Sequence, residues 1–428
     1  MTASRCAALH PVLVLGLGTG DQSISPDTAC LLENIEVLAA PRRMLEHFPD
    51  KRCIALTAPL EKALEALEQA RAEGKRCAVL ADGDPLLFGI GATLAARPAF
   101  SAPESLRIIP GISAMQTGCA RLRLPWHNLS VLSLHGRKDW LPLAHAVLTG
   151  KPLCIYTDCR NNAAAIAAFL LERGMDRFQM IVASCLNTND ERISSHTLSE
   201  AAATAFRGDE SVFLLPLSEK EQTGTLRFGL DESRLALDRG LYTKAPVRAA
   251  ALSLLSPSPE NTLWDIGAGC GCLSLEAATL LHRGRVVALE RDPSRADLIR
   301  ENRRRLGLPH LDVVSGSAPE ALEDLPDPDL VFVGGGLGGK DVRRAERLLE
   351  RIVLRLKPGG RMVVAAALLS TLHVATEFAR KQGLRHSVTQ IQAAETVPLA
   401  GSLTFRPLNP VFLIGIFPDD PLLSRRLS

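Results

Sequence analysis

The stretch LWDIGAGCGC, Leu263 to Cys272, decides the fold of the half that contains it. An apolar run carries one carboxylate, Asp265, and is followed by Gly267, Gly269 and Gly271 before an apolar helical pattern begins. A strand, a tight glycine turn and a helix in that order open a parallel α/β sheet, with the turn at the carboxyl edge where ligands bind. The spacing is Gly-x-Gly-x-Gly, and Cys272 stands where a dinucleotide pattern needs its third glycine. Asp265 would face a pyrophosphate unfavourably and suits a ligand carrying ammonium or sulfonium charge. Further on, VVALERD ends a second strand on Glu290, where a carboxylate can accept both ribose hydroxyls. A positively charged nucleoside fits these residues better than NAD.

Working outward, the text after residue 226 alternates strictly. Strands are expected at 262–266, 286–290, 311–314, 329–333 and 361–366, with helices at 246–255, 273–281, 293–306 and 341–356. Two late strands, near 388–392 and 411–416, have no helix between them and read as a terminal hairpin. Upstream, the polar stretch SEKEQTGT at 218–225 reads as a linker. Before it lie apolar strand runs at 12–15, 37–39, 77–81, 107–109 and 131–134, then 153–157, 180–184 and 211–217. Helical patterns at 59–73 and 161–173 stand between them, so this half reads as two α/β lobes. The domains expected are therefore 1–217 and 226–428. The first strand leads into VLVLGLGTGD, Val12 to Asp21, whose Gly16, Gly18 and Gly20 repeat the later spacing. That echo is too local to be a domain repeat.

Bulk properties narrow the function classes. The 428 residues carry 49 basic and 47 acidic side chains, so no whole-chain field attracts nucleic acid or an anionic membrane. With 13 Phe, 3 Trp and 2 Tyr, ring platforms for stacking exposed bases are few, and nucleic acid is not expected as a partner. The ten cysteines are scattered without paired spacing, which fits a reduced, cytoplasmic protein. Cys270-Gly-Cys272 lacks a second Cys or His pair, so no metal is expected. The run 7–17 is broken by His10-Pro11 and reads as a buried strand, and VVAAALL at 363–369 is far short of the ~20 residues a bilayer needs. A soluble chain with no membrane partner is expected.

In the second half, DIGAGCG, then ALE, then GSAPEAL at 316–322, then DLVFVGGG together resemble a class I S-adenosylmethionine-dependent methyltransferase. After the fourth strand this chain has Gly334-Gly335-Gly336, where methyltransferases of nucleobase amino groups carry Asn/Asp-Pro-Pro-aromatic. Adding LYTKAPVRAAALSLL, the half resembles the precorrin and cobalt-precorrin methylases that modify carbon 15 and decarboxylate an acetate arm. The resemblance implies cofactor contacts at Thr243, Asp265, Gly267, Ala268, Gly269, Cys270, Gly271, Glu290 and Ala318. Cys270 departs from the commoner Thr, with loss of an orienting hydroxyl.

In the first half no acid precedes Gly16, and no ribose-binding carboxylate ends the next strand. VLADGDPLLFGIG (79–91), IIPGISAMQTGCARLRLPW (108–126) and VLSLHGR (131–137) resemble a class III tetrapyrrole methylase of the carbon-5 methylating type, over most of residues 10–215. The implied cofactor contacts are Thr19, Asp82, Gly83, Asp84, Leu87, Ser113 and Ala114. The chain as a whole thus resembles a fused family of decarboxylating tetrapyrrole C-methylases, with one S-adenosylmethionine site per domain. The fold implied is α/β throughout: an N-terminal two-lobed class III methylase fold and a C-terminal doubly wound, Rossmann-like class I fold. A homo-oligomer is implied by the same resemblance.

The implied substrate is a polycarboxylate tetrapyrrole, metal-free or containing cobalt. Its meso carbons are already electron-rich, so positioning should outweigh a strong base, and no covalent catalyst is expected. Lys244 and Arg248 are the expected anion partners beside the carbon-15 site, against the plainer reading of an exposed helix start. His135, Arg137 and Lys138 fill the same role in the first domain, against a surface loop. Asp21 and Asp84 read as turn formers, Arg303-Arg304-Arg305 as helix-end cations, and His127 and His373 as packing residues.

Overall fold

The computed structural model describes residues 9–20, 25–217, 228–238, 242–337 and 341–418. The expected linker at 218–225, and Asp21, lie outside the described residues. The chain divides into two compact units. One comprises residues 1–138, 151–166 and 179–215; the other comprises 139–150, 167–178 and 216–428, so the division is not a single cut in the sequence.

The first unit holds two five-stranded sheets. Strands β1 (Val12–Gly16), β2 (Val37–Ala40), β3 (Arg52–Ala55), β4 (Cys77–Ala81) and β5 (Leu106–Ile109) pair in parallel in the order β3-β2-β4-β1-β5. β2 and β4 are buried at every position, which is why they read as unbroken apolar runs. β3, with half-exposed and exposed residues, has no such run and escaped the sequence reading. The second sheet orders β6 (Ser130–Ser133), β7 (Leu153–Tyr156), β8 (Phe178–Ser184), β9 (Arg192–Thr197) and β10 (Ser211–Pro216) as β6-β7-β10-β8-β9, with antiparallel pairs at β7/β10 and β8/β9. β9, RISSHT, is polar and largely exposed, and it too went unread.

The second unit is built on a seven-stranded sheet. Its strands are β11 (Thr262–Ile266), β12 (Arg285–Glu290), β13 (Leu311–Ser315), β14 (Leu330–Val333), β15 (Arg361–Ala366), β16 (Arg385–Ile391) and, after the hairpin β17 (Ala394–Leu399) and β18 (Ser402–Pro407), β19 (Val411–Phe417). The order is β13-β12-β11-β14-β15-β19-β16, parallel except for β19, which runs antiparallel to both neighbours. The expectation of a simple terminal hairpin needs correction: β16 and β19 do pair, but β17 and β18 form a separate two-stranded sheet between them. Its alternating residues are mostly exposed, so no burial pattern announced it.

Helices cover both faces of this sheet. Val342–Arg355 buries Ala345, Leu348, Leu349 and Ile352, the i, i+3, i+4, i+7 stripe of a half-buried helix. Pro293–Leu306 starts on an Asp292 side chain that accepts from Ser294 N–H at 2.9 Å and stops at Gly307 in the left-handed conformation. Parallel pairing of β11 with β12 and β14 brings the ends of these strands, and so Asp265 and Glu290, to one edge.

At the corresponding edge of the first sheet, three glycines stand at or just beyond the ends of the adjacent strands β4, β1 and β5. A Cβ on Gly16 would lie 2.5 Å from both Gly111 N and Gly83 O, and one on Gly111 would lie 2.4 Å from Gly83 O. No side chain fits, so three loops meet backbone to backbone. Gly111→Ala is expected to lower stability by about 1–3 kcal/mol through overpacking, read as a fall in the urea midpoint.

Candidate functional site

In the second unit the glycine turn closes on its neighbours through main-chain contacts. Gly267 and Ala268 N–H donate to Leu289 O at 2.9 and 3.1 Å, and Gly271 N–H donates to Ala268 O at 2.9 Å. Gly267 has φ of +69°, and a Cβ there would sit 2.9 Å from Gly335 backbone. The backbone after β14 therefore packs on the glycine loop and requires Gly267 to lack a side chain, while a Cβ on Gly335 would meet Gly267 O at an ordinary 3.6 Å. Glu290 is buried and accepts from Gly269 N–H at 2.8 Å and Asp292 N–H at 3.0 Å, one bond to each carboxylate oxygen. Each oxygen keeps a lone pair for a further donor.

Asp265 is buried below the loop. One oxygen accepts from Ser274 N–H at 3.1 Å and from the Ser274 hydroxyl, while Oδ1 has no partner among the described residues. Burial pushes its carboxyl up to about 7, assisted by the Glu290 charge and opposed by the two Ser274 bonds. A buried acid with one unmatched oxygen, beside a second buried carboxylate, is a site poised for positive charge.

Three further residues that the resemblance implies are each tied to a neighbouring segment. Cys270, buried, accepts the Asp238 N–H on Sγ at 3.1 Å, so the sulfur fills an acceptor's place despite the missing hydroxyl. Ala318 sits in a turn tied to the helix Val342–Arg355 by Arg344, which donates to Ser317 Oγ at 2.9 Å and Ala318 O at 3.3 Å. Thr243 is half-buried, and its carbonyl accepts from Arg248 Nη1 at 2.7 Å.

Arg248 requires a correction. It was expected to meet substrate anions, but it is 1% exposed and bonds Glu232 at 2.6 Å, Glu276 at 3.2 Å, Thr243 O and Leu230 O. A guanidinium enclosed by protein acceptors cannot receive a carboxylate from solvent. It instead pins residues 230–232 and 243 against the helix Cys272–Leu280 through Glu276, which also accepts Gly229 and Leu230 N–H. Glu276 itself was missed; its signal is a lone acid in the apolar text LSLEAATLL. Lys244 is half-buried with its ammonium 3.6 Å from the centre of the Tyr242 ring.

In the first unit, Gly83 N–H donates to Gly18 O at 2.7 Å, joining the first loop to the ADGD loop. Thr19 Oγ1 accepts from Asn187 Nδ2 at 2.8 Å and lies 3.2 Å from Thr117 Oγ1. Ser113 is buried as the N-cap of the helix Ala114–Leu122, and reciprocal bonds with Gln116 complete a capping box. A Cβ on Gly83 would touch Ser113 Cα at 3.3 Å, so Gly83, Ser113 and Ala114 share one edge. Leu87 and Ala114 pack with Met115, Tyr156 and Phe213. Asp84 closes a turn on Leu86 N–H at 2.8 Å, as its sequence suggested, whereas Asp82 is exposed and paired with Arg43. Tyr156 was not foreseen: it accepts Met115 N–H at 3.2 Å, and burial pushes its phenol up to about 12, so it stays protonated.

His135 and Arg137 are both exposed on the turn after β6, with His135 Nδ1 3.2 Å from Thr157 O. His127 and His373, expected to be packed, are exposed. The buried histidine is His310, 1% exposed, with Nε2 2.8 Å from Ala278 O and its imidazole pushed down to about 4 by burial. Among the described residues no cluster of three or more His, Cys, Asp or Glu is placed to hold a metal, and no helix is long and apolar enough to cross a membrane.

Two family models match consecutive parts of the chain. The tetrapyrrole (corrin/porphyrin) methylases match residues 11–202, and a precorrin methyltransferase domain matches residues 237–416. A Sinorhizobium protein named precorrin-6Y C(5,15)-methyltransferase [decarboxylating] is 31% identical over 82% of each chain. A Mycobacterium tuberculosis protein of that name is 29% identical over 94% of this chain and 98% of its own. A Salmonella typhimurium cobalt-precorrin-6B C(15)-methyltransferase (decarboxylating) is 36% identical over 43% of this chain and 93% of its own.

Two predictions follow from the buried charges. Arg248→Met should strand Glu276 and cost about 3–5 kcal/mol in urea unfolding, with partial recovery in the double variant Arg248→Met/Glu276→Leu. Because the folded-state pKa of Asp265 is raised to about 7, the folded chain holds a proton that the unfolded chain has lost, so stability falls as pH rises from about 4 to 7. Asp265→Asn should remove that part of the slope, read in melts of the ligand-free protein across this window.

Proposed function

The chain belongs to the precorrin-6Y C(5,15)-methyltransferase (decarboxylating) family, and we propose on that footing that each of its two glycine-lined edges holds its own S-adenosylmethionine. The enzyme is an S-adenosylmethionine-dependent C-methyltransferase of cobalamin biosynthesis. It methylates the precorrin at carbons 5 and 15 and decarboxylates the acetate on carbon 12. The single observation that carries this reading is the relationship, over 82% of each chain, to a protein of that name. The two local geometries support it.

S-adenosylmethionine supplies an electrophilic methyl group on a positively charged sulfur. At the carbon-15 site, buried Asp265 and Glu290 provide negative potential and hydroxyl acceptors, and the glycine loop lets backbone approach closely. Thr243 and Ala318, fixed by Arg248 and Arg344, limit the room available. At the carbon-5 site no buried carboxylate among the described residues plays that part. The Gly83, Ser113 and Ala114 backbone, with Thr19 and Leu87 beside it, forms a neutral wall. The substrate carbon is already a nucleophile, so both sites act by orientation and exclusion of water. Lys244 is assigned to the substrate's carboxylates at the carbon-15 site. Metal-free precorrin is the substrate proposed, with the cobalt-containing form as the alternative raised by the Salmonella relative.

Incubation with labelled S-adenosylmethionine and metal-free precorrin should give a product heavier by two methyl groups and lighter by one carbon dioxide. Gly269→Arg should abolish carbon-15 methylation and decarboxylation while sparing carbon 5, and Gly83→Arg should do the converse. A variant that abolishes both reactions while the protein stays folded would overturn the assignment of one cofactor to each unit.

A further inference from the structure

Three loops at one end of the second sheet of the first unit meet backbone to backbone. Leu134 N–H donates to Tyr156 O at 2.9 Å, and Asn161 Nδ2 donates to Leu134 O at 2.6 Å and Arg137 O at 2.8 Å. Thr157 Oγ1 donates to Gly208 O at 3.2 Å and Glu210 O at 2.7 Å, and a Cβ on Gly208 would lie 2.4 Å from Asp158 O. Residues 134–138, 157–161 and 207–210 therefore form one rigid platform.

Four cations stand on it: Arg137, Lys138, Arg160 and Arg207 are all exposed, and none has a side-chain hydrogen bond or ion pair among the described residues. The acids that could neutralise them are turned to the backbone. Asp158 accepts from Gly136, Arg160 and Asn161 N–H at 2.5, 2.8 and 2.7 Å, and Glu210 accepts from Arg207 and Gly208 N–H at 2.7 Å each. Those bonds, Asn161 and Gly136 first, hold the Asp158 carboxyl below the usual range. Asp209 is the exposed acid that remains on these loops. Four unpaired cations on a braced platform suit a ligand with several carboxylates better than a single anion.

The platform adjoins the edge assigned to the carbon-5 reaction. Tyr156, the residue before the loop 157–161, bonds Met115 N–H, and its ring centre lies 5.8 Å from that of Phe88 in the ADGD loop segment. We infer that Arg137, Arg160 and Arg207, with Lys138, form the carboxylate-recognition site of the first unit and orient the tetrapyrrole for methylation at carbon 5. Arg160 and Arg207 had no such role in the sequence reading. This inference rests on the tetrapyrrole reading above, and each guanidinium offers a planar pair of donors to a side-arm carboxylate.

The test uses the full chain and metal-free precorrin, with Arg160→Ala, Arg207→Ala and the double variant compared with the parent. For carbon-5 methylation the double variant should raise KM for precorrin at least about tenfold, as expected for lost charge-assisted bonds, and leave kcat within about twofold. Binding of S-adenosylmethionine and the carbon-15 reaction should be unchanged, and the parent's carbon-5 KM should rise with salt. Arg160→Lys should fall between parent and Arg160→Ala. An unchanged KM in the double variant overturns the inference, as does a rise accompanied by equal losses of thermal stability and cofactor affinity. A parent that methylates no tetrapyrrole overturns the family reading, and this inference with it.

Discussion

A Cβ on Gly16 or Gly111 would lie 2.4–2.5 Å from neighbouring backbone, and one on Gly267 would lie 2.9 Å from Gly335. Both units thus close the carboxyl edge of a parallel sheet by bringing main chain against main chain. The contact does more than save space. It leaves the edge lined by peptide groups and by the few side chains that lie beside the glycines, and it makes the position of those side chains depend on the sheet. Asp265 and Glu290 end up buried together because β11 and β12 are paired in register, not because anything in their own segments attracts them.

The two edges solve different electrostatic problems. In the second unit, two buried carboxylates leave an unmatched oxygen and an acid raised to about 7, a state that a cation relieves. In the first, Ser113 and Tyr156 are neutral and the charge has moved outward, to cations on loops whose acids are spent on backbone N–H groups. The second unit's edge is built from negative charge that a cation satisfies, and the first unit's edge lies beside a platform of cations that carboxylates satisfy.

Arg248 shows how a motif reading can err while the motif is read well. It lies in the LYTKAPVRAAALSLL segment that carries the resemblance, but its guanidinium is consumed by Glu232, Glu276 and two carbonyls. It holds Thr243 in place and meets no solvent. Whether a cation at a helix start faces water or a buried acid depends on a partner 28 residues away, and Glu276 lies in a helix read only as apolar.

The sequence by itself determined the α/β class, the order of the buried strands, the division into two kinds of methylase, and the glycine positions, because burial on both faces and the absence of a side chain leave local marks in the text. It did not reveal β3, β9, β17 or β18, whose half-exposed strands carry no apolar run. Only the tertiary structure decided which polar residues are paired. His310 and not His127 is buried, Arg248 is enclosed while Arg160 and Arg207 are open, and Asp158 accepts backbone N–H groups, Arg160's included, and not the neighbouring guanidinium. The physical reason is that a charge's role is set by what surrounds it, and those surroundings come from segments far apart in the chain.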